Sequence, residues 1–185
     1  MRYRAGIETR GRILAAAREL LGAKGIEATT VGAICSHAGI GAGSFYNLFD
    51  SKEQAILTVA TDAIQALDSD PMHAGVDNLA ELVEAYVRFI ENQPQLARVY
   101  VVIAVGGGIT DEAIRGRILR HHHERVSRFA QAILSGDPAV PQRQAAIEAE
   151  ALLAALNGYA FHAMLDREFD FGGHARRLAN ERLNR

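Results

Sequence analysis

Apolar residues recur at helical spacing along most of the chain. Ile13, Leu14, Ala17, Leu20 and Leu21 form the first stripe, and Gly25 stands where a C′ glycine would close it. Thr29 and Thr30 offer an N-cap to a short helix with Val31, Ile34, Cys35 and Ala38 inward, and Gly39 breaks that helix. A second short helix is predicted from about Ala42 to Leu48, with Phe45 and Phe49 on its inner side. Ser51 and Gln54 have capping-box spacing and open a longer helix striped by Ile56, Leu57, Ala60, Ala63, Ile64 and Leu67. Beyond a polar linker over 68–77, which contains Pro71, helical patterns recur over 78–92, 95–105, 111–135, 141–166 and near 174–184. Pro94, the glycines 106–108, the segment 135–141 and "FGG" at 171–173 separate them, and Pro141 stands where an N1 proline would stand. The stretch "VYVVIAV", 99–105, is continuously apolar, so periodicity alone admits either a buried strand or a buried helix. No second strand candidate exists to pair with it, so we assign it to helix, and the fold class is all-α.

Composition agrees. Nearly half of the 185 residues are apolar, Pro is only 4 and Trp is absent, which favours helices over sheet and excludes long disordered tracts. The single cysteine, Cys35, excludes an internal disulfide framework and a cysteine zinc site, and points to a reducing cytoplasm. No apolar run approaches the roughly 20 residues that span a bilayer, and "MRYRAGIETRGR" has no apolar signal-peptide core after it, so no membrane partner is expected. Net charge is −2, but residues 1–53 hold seven basic against five acidic side chains, which leaves the head mildly basic and the remainder acidic.

The stretch "GIGAGSFYNLFDSKE", 39–53, carries the most chemistry. Its glycines run G-x-G-x-G, with Ser44 where a dinucleotide loop wants the third glycine, and a helical rather than a β pattern precedes them. "VIAVGGGIT", 102–110, lacks both that spacing and the Lys-Ser/Thr of a P-loop. A helix-turn-helix accounts for every residue instead. Gly39 supplies the positive φ of the tight turn, small Cys35 allows close approach, and Phe45 locks the two helices. Ala42, Gly43, Ser44, Tyr46 and Asn47 then form the outer face, slim enough to enter a major groove about 12 Å wide. Elsewhere, His121, His122 and His123 point about 100° apart on a helix, so they cannot share one metal and read as a solvated helix face, the alternative being that one of them turns inward to meet a ligand. There is no nucleophile elbow, no paired-carboxylate spacing and no metal motif, so neither enzyme activity nor a cofactor is expected.

Residues 9–57, "TRGRILAAARELLGAKGIEATTVGAICSHAGIGAGSFYNLFDSKEQAIL", resemble the N-terminal domain of the TetR family of transcriptional regulators. The family usually has alanine where Cys35 stands, and serine or threonine where Gly41 caps the reading helix. Gly41 and Gly43 together cost that helix ~1–2 kcal/mol, which suggests that it orders fully only on DNA. The resemblance implies a three-helix DNA-binding domain over 1–53 and a helical effector-binding and dimerisation domain over 54–185. It implies phosphate contacts from the Thr29–Thr30 pair, Tyr46 and Lys52, and base contacts from Ala42, Gly43, Ser44 and Asn47. Direct readout would be thin, leaving some sequence choice to water or DNA shape. Arg2, Arg4, Arg10 and Arg12 could form an arm reaching a neighbouring groove, or equally a disordered start with no contact.

The expected partners are a palindromic double-stranded operator, a second copy of the chain and a small, mostly apolar effector. The dimer face expected from the pattern is Ala145, Ala149, Leu152, Leu153, Leu156, Ala160 and Ala163, with Leu178 and Leu183 of the last helix, the alternative being that this stripe packs only within its own chain. The resemblance implies an effector cavity, for which Tyr86, Phe89, Tyr100, Ile103, Phe129 and Phe161 are the candidates, with Asn157 and His162 as polar groups, although most of them are expected to be plain core. The function expected is a ligand-responsive repressor. The alternative is a helical dimeric DNA-binding protein with a filled body and no effector.

Overall fold

A computed structural model gives the fold and describes residues 2–68, 78–107 and 111–183. The expected linker therefore lies, from residue 69 onward, outside the described residues. The chain divides into two compact units, one from Met1–Gln65 with Gln95–Ile118 and the other from Ala66–Pro94 with Leu119–Arg185. Among the described residues there is no strand.

The first unit begins with α1 (Arg2–Ala28), α2 (Val31–Ala38) and α3 (Ala42–Tyr46). It adds the larger part of α4 (Lys52–Asp68), then α6 (Pro94–Val102), a π-helical turn (Ile103–Gly107) and the start of α7 (Glu112–Gly136). Ile13, Ala17 and Leu21 bury the predicted stripe of α1 against Ile34, Phe45, Ile56 and Val59. Val99, Ile103 and Ile114, far along the chain, complete that same core. Gly25 leaves the helical region at φ 77 and ψ −177, a positive-φ conformation that is extended rather than the left-handed helical one of a C′ cap and is essentially open to glycine alone, and a single turn follows before α2. The "VYVVIAV" stretch is helical to Val102 and then widens into the π turn, where Gly106 lies against Ile26. A Cβ on Gly106 would come within 3.1 Å of the Ile26 side chain, so the glycine permits this approach.

The second unit contains α5 (Leu79–Asn92), most of α7, α8 (Gln142–Leu165) and α9 (Phe171–Leu183). Asn78 and Glu81 form a full capping box at the start of α5. That helix buries Leu79, Leu82, Val83, Tyr86, Val87, Phe89 and Ile90. Two boundaries differ from the sequence reading. Pro141 is the N-cap residue of α8 rather than N1, because its ψ of 140° is extended. "FGG" is the first turn of α9 rather than a break. Asp170 caps it through the Gly173 amide at 2.8 Å. Its carboxylate would lie 2.0 Å from a Cβ on Gly173, so the cap itself requires the glycine.

The expected dimer face is also revised. Ala145, Ala149, Leu152, Leu153, Leu156 and Ala160 are all buried within the chain, and Ala163 is half-buried. The face of α8 left outward is Ile147, Ala151, Ala154, Gly158, Phe161 and Leu165, again at helical spacing. The helix is apolar on two sides, and packing within the chain takes the broader one. On α9, Leu178 is half-buried, and the Leu183 side chain lies outside the described residues.

Candidate nucleic-acid interface

The turn between α2 and α3 is built on one left-handed residue. Gly39 adopts φ 62 and ψ 43, and its amide and that of Ile40 close the end of α2 on Ser36 and Cys35 carbonyls. The guanidinium of Arg12, from α1, donates to the carbonyls of Ala38 and Gly39. A cation thus sits on the negative end of α2 and ties the turn to α1. Phe45 is fully buried and meets Phe49 at 5.6 Å and Tyr46 edge-on at 5.5 Å. That anchor fixes which face of α3 looks outward.

Ala42, Gly43, Ser44, Tyr46 and Asn47 are all exposed, and Tyr46 shows 57% of its surface. Gly41 caps α3 with no side-chain bond, although its carbonyl accepts from Ser44 at 3.0 Å. Thr30 is exposed and accepts from the Ala33 amide at 3.1 Å, so its hydroxyl marks the open N-terminus of α2. Lys52 is half-buried at the start of α4, its ammonium 4.0 Å from Glu53. Ser51 accepts from the Gln54 amide at 3.2 Å, while the Gln54 side chain reaches the amide of Asp50 rather than that of Ser51.

Two expectations at this end are corrected. Thr29 is fully buried and donates its hydroxyl to the Gly25 carbonyl at 2.7 Å, so it shapes the turn after α1 and faces no DNA. The basic start is no extended arm, because α1 is helical from Arg2. Arg10 lies over the Phe49 ring at 5.5 Å and Arg12 is spent on the turn.

The expected effector-lining residues fall into two groups. Tyr100 and Ile103 belong to the first unit, Tyr100 packed with Ala63 and Ile64 and Ile103 in the main core. The remainder belong to the second unit, where Tyr86, Phe89 and Phe129 are buried. The Tyr86 hydroxyl donates to the Asn157 side chain at 2.9 Å. Phe161 is 52% exposed and His162 is exposed beside it, so neither faces the interior of the chain; both lie on the outward side of α8. Sequence reading missed one interior polar residue, Arg125, and its preferred solvated face for the histidine triplet is corrected at His121, which is buried. His121 is buried, His122 half-buried and His123 exposed, as the rotation of a helix dictates. Burial, the neighbouring His123 and Arg125 together hold the His122 pKa below the ordinary imidazole value. Among the described residues no cluster of His, Cys, Asp or Glu could hold a metal, and no helix is long and apolar enough to cross a membrane. In the first unit an open groove of about 380 Å³ is lined by Arg18, Glu19, Gly22, Ala23, Gln95 and Arg98, none of them an expected effector residue.

A helix crossed through a left-handed glycine, with one aromatic anchor and a slim exposed face, defines a helix-turn-helix DNA-binding domain. Residues 13–58 match the family model described as bacterial regulatory proteins, tetR family. The chain as a whole has the fold of the TetR-family transcriptional regulators. A structure from Rhodococcus sp. assigned to that family superposes with a TM-score of 0.74 at 19% identity, covering 96% of this chain and 97% of its own. The fatty acid degradation regulator FadR from Bacillus halodurans gives 0.75 at 16% identity, covering 95% and 94%. The multidrug binding protein EbrR, complexed with imidazole, gives 0.66 at 19% identity, covering 94% and 93%. No curated protein sequence matches the chain.

Proposed function

We propose that the protein is a ligand-responsive transcriptional repressor that binds a palindromic operator as a homodimer and is released by a small, mostly apolar effector. The observation that carries this reading is the exposed face of α3, small side chains flanked by Tyr46 and held outward by buried Phe45. In this reading Thr30, Tyr46 and Lys52 take phosphates, and Ala42, Gly43, Ser44 and Asn47 face the base edges. Residues 1–53 act as the DNA-binding part and 54–185 as the effector-binding and dimerisation part. The outward apolar face of α8, from Ile147 to Leu165, supports the dimer, because large apolar side chains on one helix face want a cover. Effector responsiveness is supported by the relatives of the same fold, one of which is named for multidrug binding and holds imidazole. The effector acts to the extent that it binds the DNA-free state better than the DNA-bound one.

The test is capture of genomic fragments by the purified protein, followed by sequencing. We expect an enriched palindrome whose affinity falls steeply with salt, since several phosphate contacts release counterions. Capture without any enriched symmetric sequence would remove the operator-binding reading.

A further inference from the structure

The geometry points to Arg125 as the anchor of a carboxylate on an otherwise apolar effector, an assignment that rests on the effector-responsive reading above. Arg125 lies on α7 and only 6% of its surface is exposed. Its guanidinium carbon stands 4.5 Å from the centroid of the Tyr86 ring. Among the described residues no carboxylate or carbonyl accepts a hydrogen bond from it. A cation taken out of water without a counter-charge is unfavourable, and a single aromatic face offsets only part of the loss. Among the described residues no Arg125 nitrogen is both sealed from solvent and without a partner, so its fixed fork of N–H donors can be offered to a group that enters from outside the chain.

The surroundings state what that something is. Tyr86 is held on both sides, its hydroxyl on Asn157 at 2.9 Å and its ring edge-on to Phe171 at 5.8 Å. The guanidinium stacked on it is thereby oriented by a ring that is itself fixed. Apart from His121, one turn before Arg125 on α7, the remaining buried groups of the same unit are apolar, among them Phe89, Phe129 and Leu153. Of the titratable neighbours on α7, His121 is buried and His122 half-buried, and Glu150, whose field reaches His122, is exposed on α8. One planar cation in apolar surroundings fits a planar monoanion, which it can grip through two parallel hydrogen bonds. The ligand class is therefore a monocarboxylic acid with an apolar body.

The probes are decanoate and the uncharged decan-1-ol, titrated by calorimetry into the full-length protein and into Arg125→Met, which keeps the apolar stem and removes the charge. We expect decanoate to bind the wild type more tightly than decan-1-ol. Arg125→Met should lose roughly 10- to 100-fold in decanoate affinity, the worth of hydrogen bonds to a charged group, while its affinity for decan-1-ol stays at the wild-type value. Equal decanoate binding by both proteins overturns the assignment, and so does failure of decanoate to bind the wild type. The melting temperature without ligand is the second readout. A cation awaiting a partner predicts that Arg125→Met melts no lower than the wild type; a clear fall would make the arginine a structural member of the core and overturn the assignment. Operator capture by the wild type is scored separately. Its absence would remove the regulator reading, whereas inert decanoate with intact capture removes only the carboxylate.

Discussion

Gly39 and Arg12 meet at the turn that aims α3. A Cβ at Gly39 would be strained by the left-handed backbone and would lie 3.0 Å from the Arg12 guanidinium. Gly39→Ala is therefore expected to destabilise the protein by about 1–2 kcal/mol, the cost of a left-handed alanine, as read from urea unfolding midpoints. The glycine was legible in the sequence because a turn between two short helices needs one. Arg12 was not, because its bond to the turn spans 26 residues and no local spacing announces it. The adjacent threonines show the same limit. Both fit a helix start, and only the folded chain separates buried Thr29 from exposed Thr30. His122 gives a pH prediction. Its pKa is lowered in the folded state, so folding favours the neutral imidazole. That contribution is present above the unfolded value near 6.5 and is lost as pH falls from there through the folded value. The drop in melting temperature between pH 7.5 and 5.5 should accordingly be smaller in His122→Gln than in the wild type.

At the scale of the element, α3 and α8 teach different lessons. The reading helix has five residues, a glycine cap with no side-chain bond and a second glycine inside it. Its amides, from Ser44 to Asn47, should exchange with solvent faster than those of α1 in the free protein and slow on operator DNA; full protection without DNA would contradict the idea that the complex completes its order. The weakness was legible because it is a matter of residue type. In α8 the sequence showed how many apolar positions there are but not which side stays within the chain, since alanines and leucines run along both. Packing decides that, and it leaves Ile147, Phe161 and Leu165 outward. Phe161→Glu should shift the protein toward monomer in sedimentation velocity with little change in monomer stability. Leu153→Ala, on the buried side, should instead cost about 2–5 kcal/mol through the cavity it leaves.

At the scale of the whole molecule, helix content and the order of the helices were legible from periodicity, and the tetR-like motif marked the DNA-binding end. What could not be read was that chain order and compact units do not coincide. Val99, Ile103 and Ile114 belong to the same core as Ile13, Leu21, Ile34 and Phe45, though some 40 residues or more separate them from the head in sequence. A fragment ending at residue 65 keeps every residue of the helix-turn-helix and lacks those three core side chains. It should show helical circular dichroism but melt without a cooperative transition, and joining it to 95–118 should restore one.

The same interleaving bears on how such a regulator could be re-targeted. An exchange of DNA preference that transplants only the head of another protein would graft it onto a foreign 95–118 and mismatch the part of its interior that Val99, Ile103 and Ile114 fill. The transferable cassette is discontinuous, and a hybrid should keep its donor's operator choice only when both segments travel together.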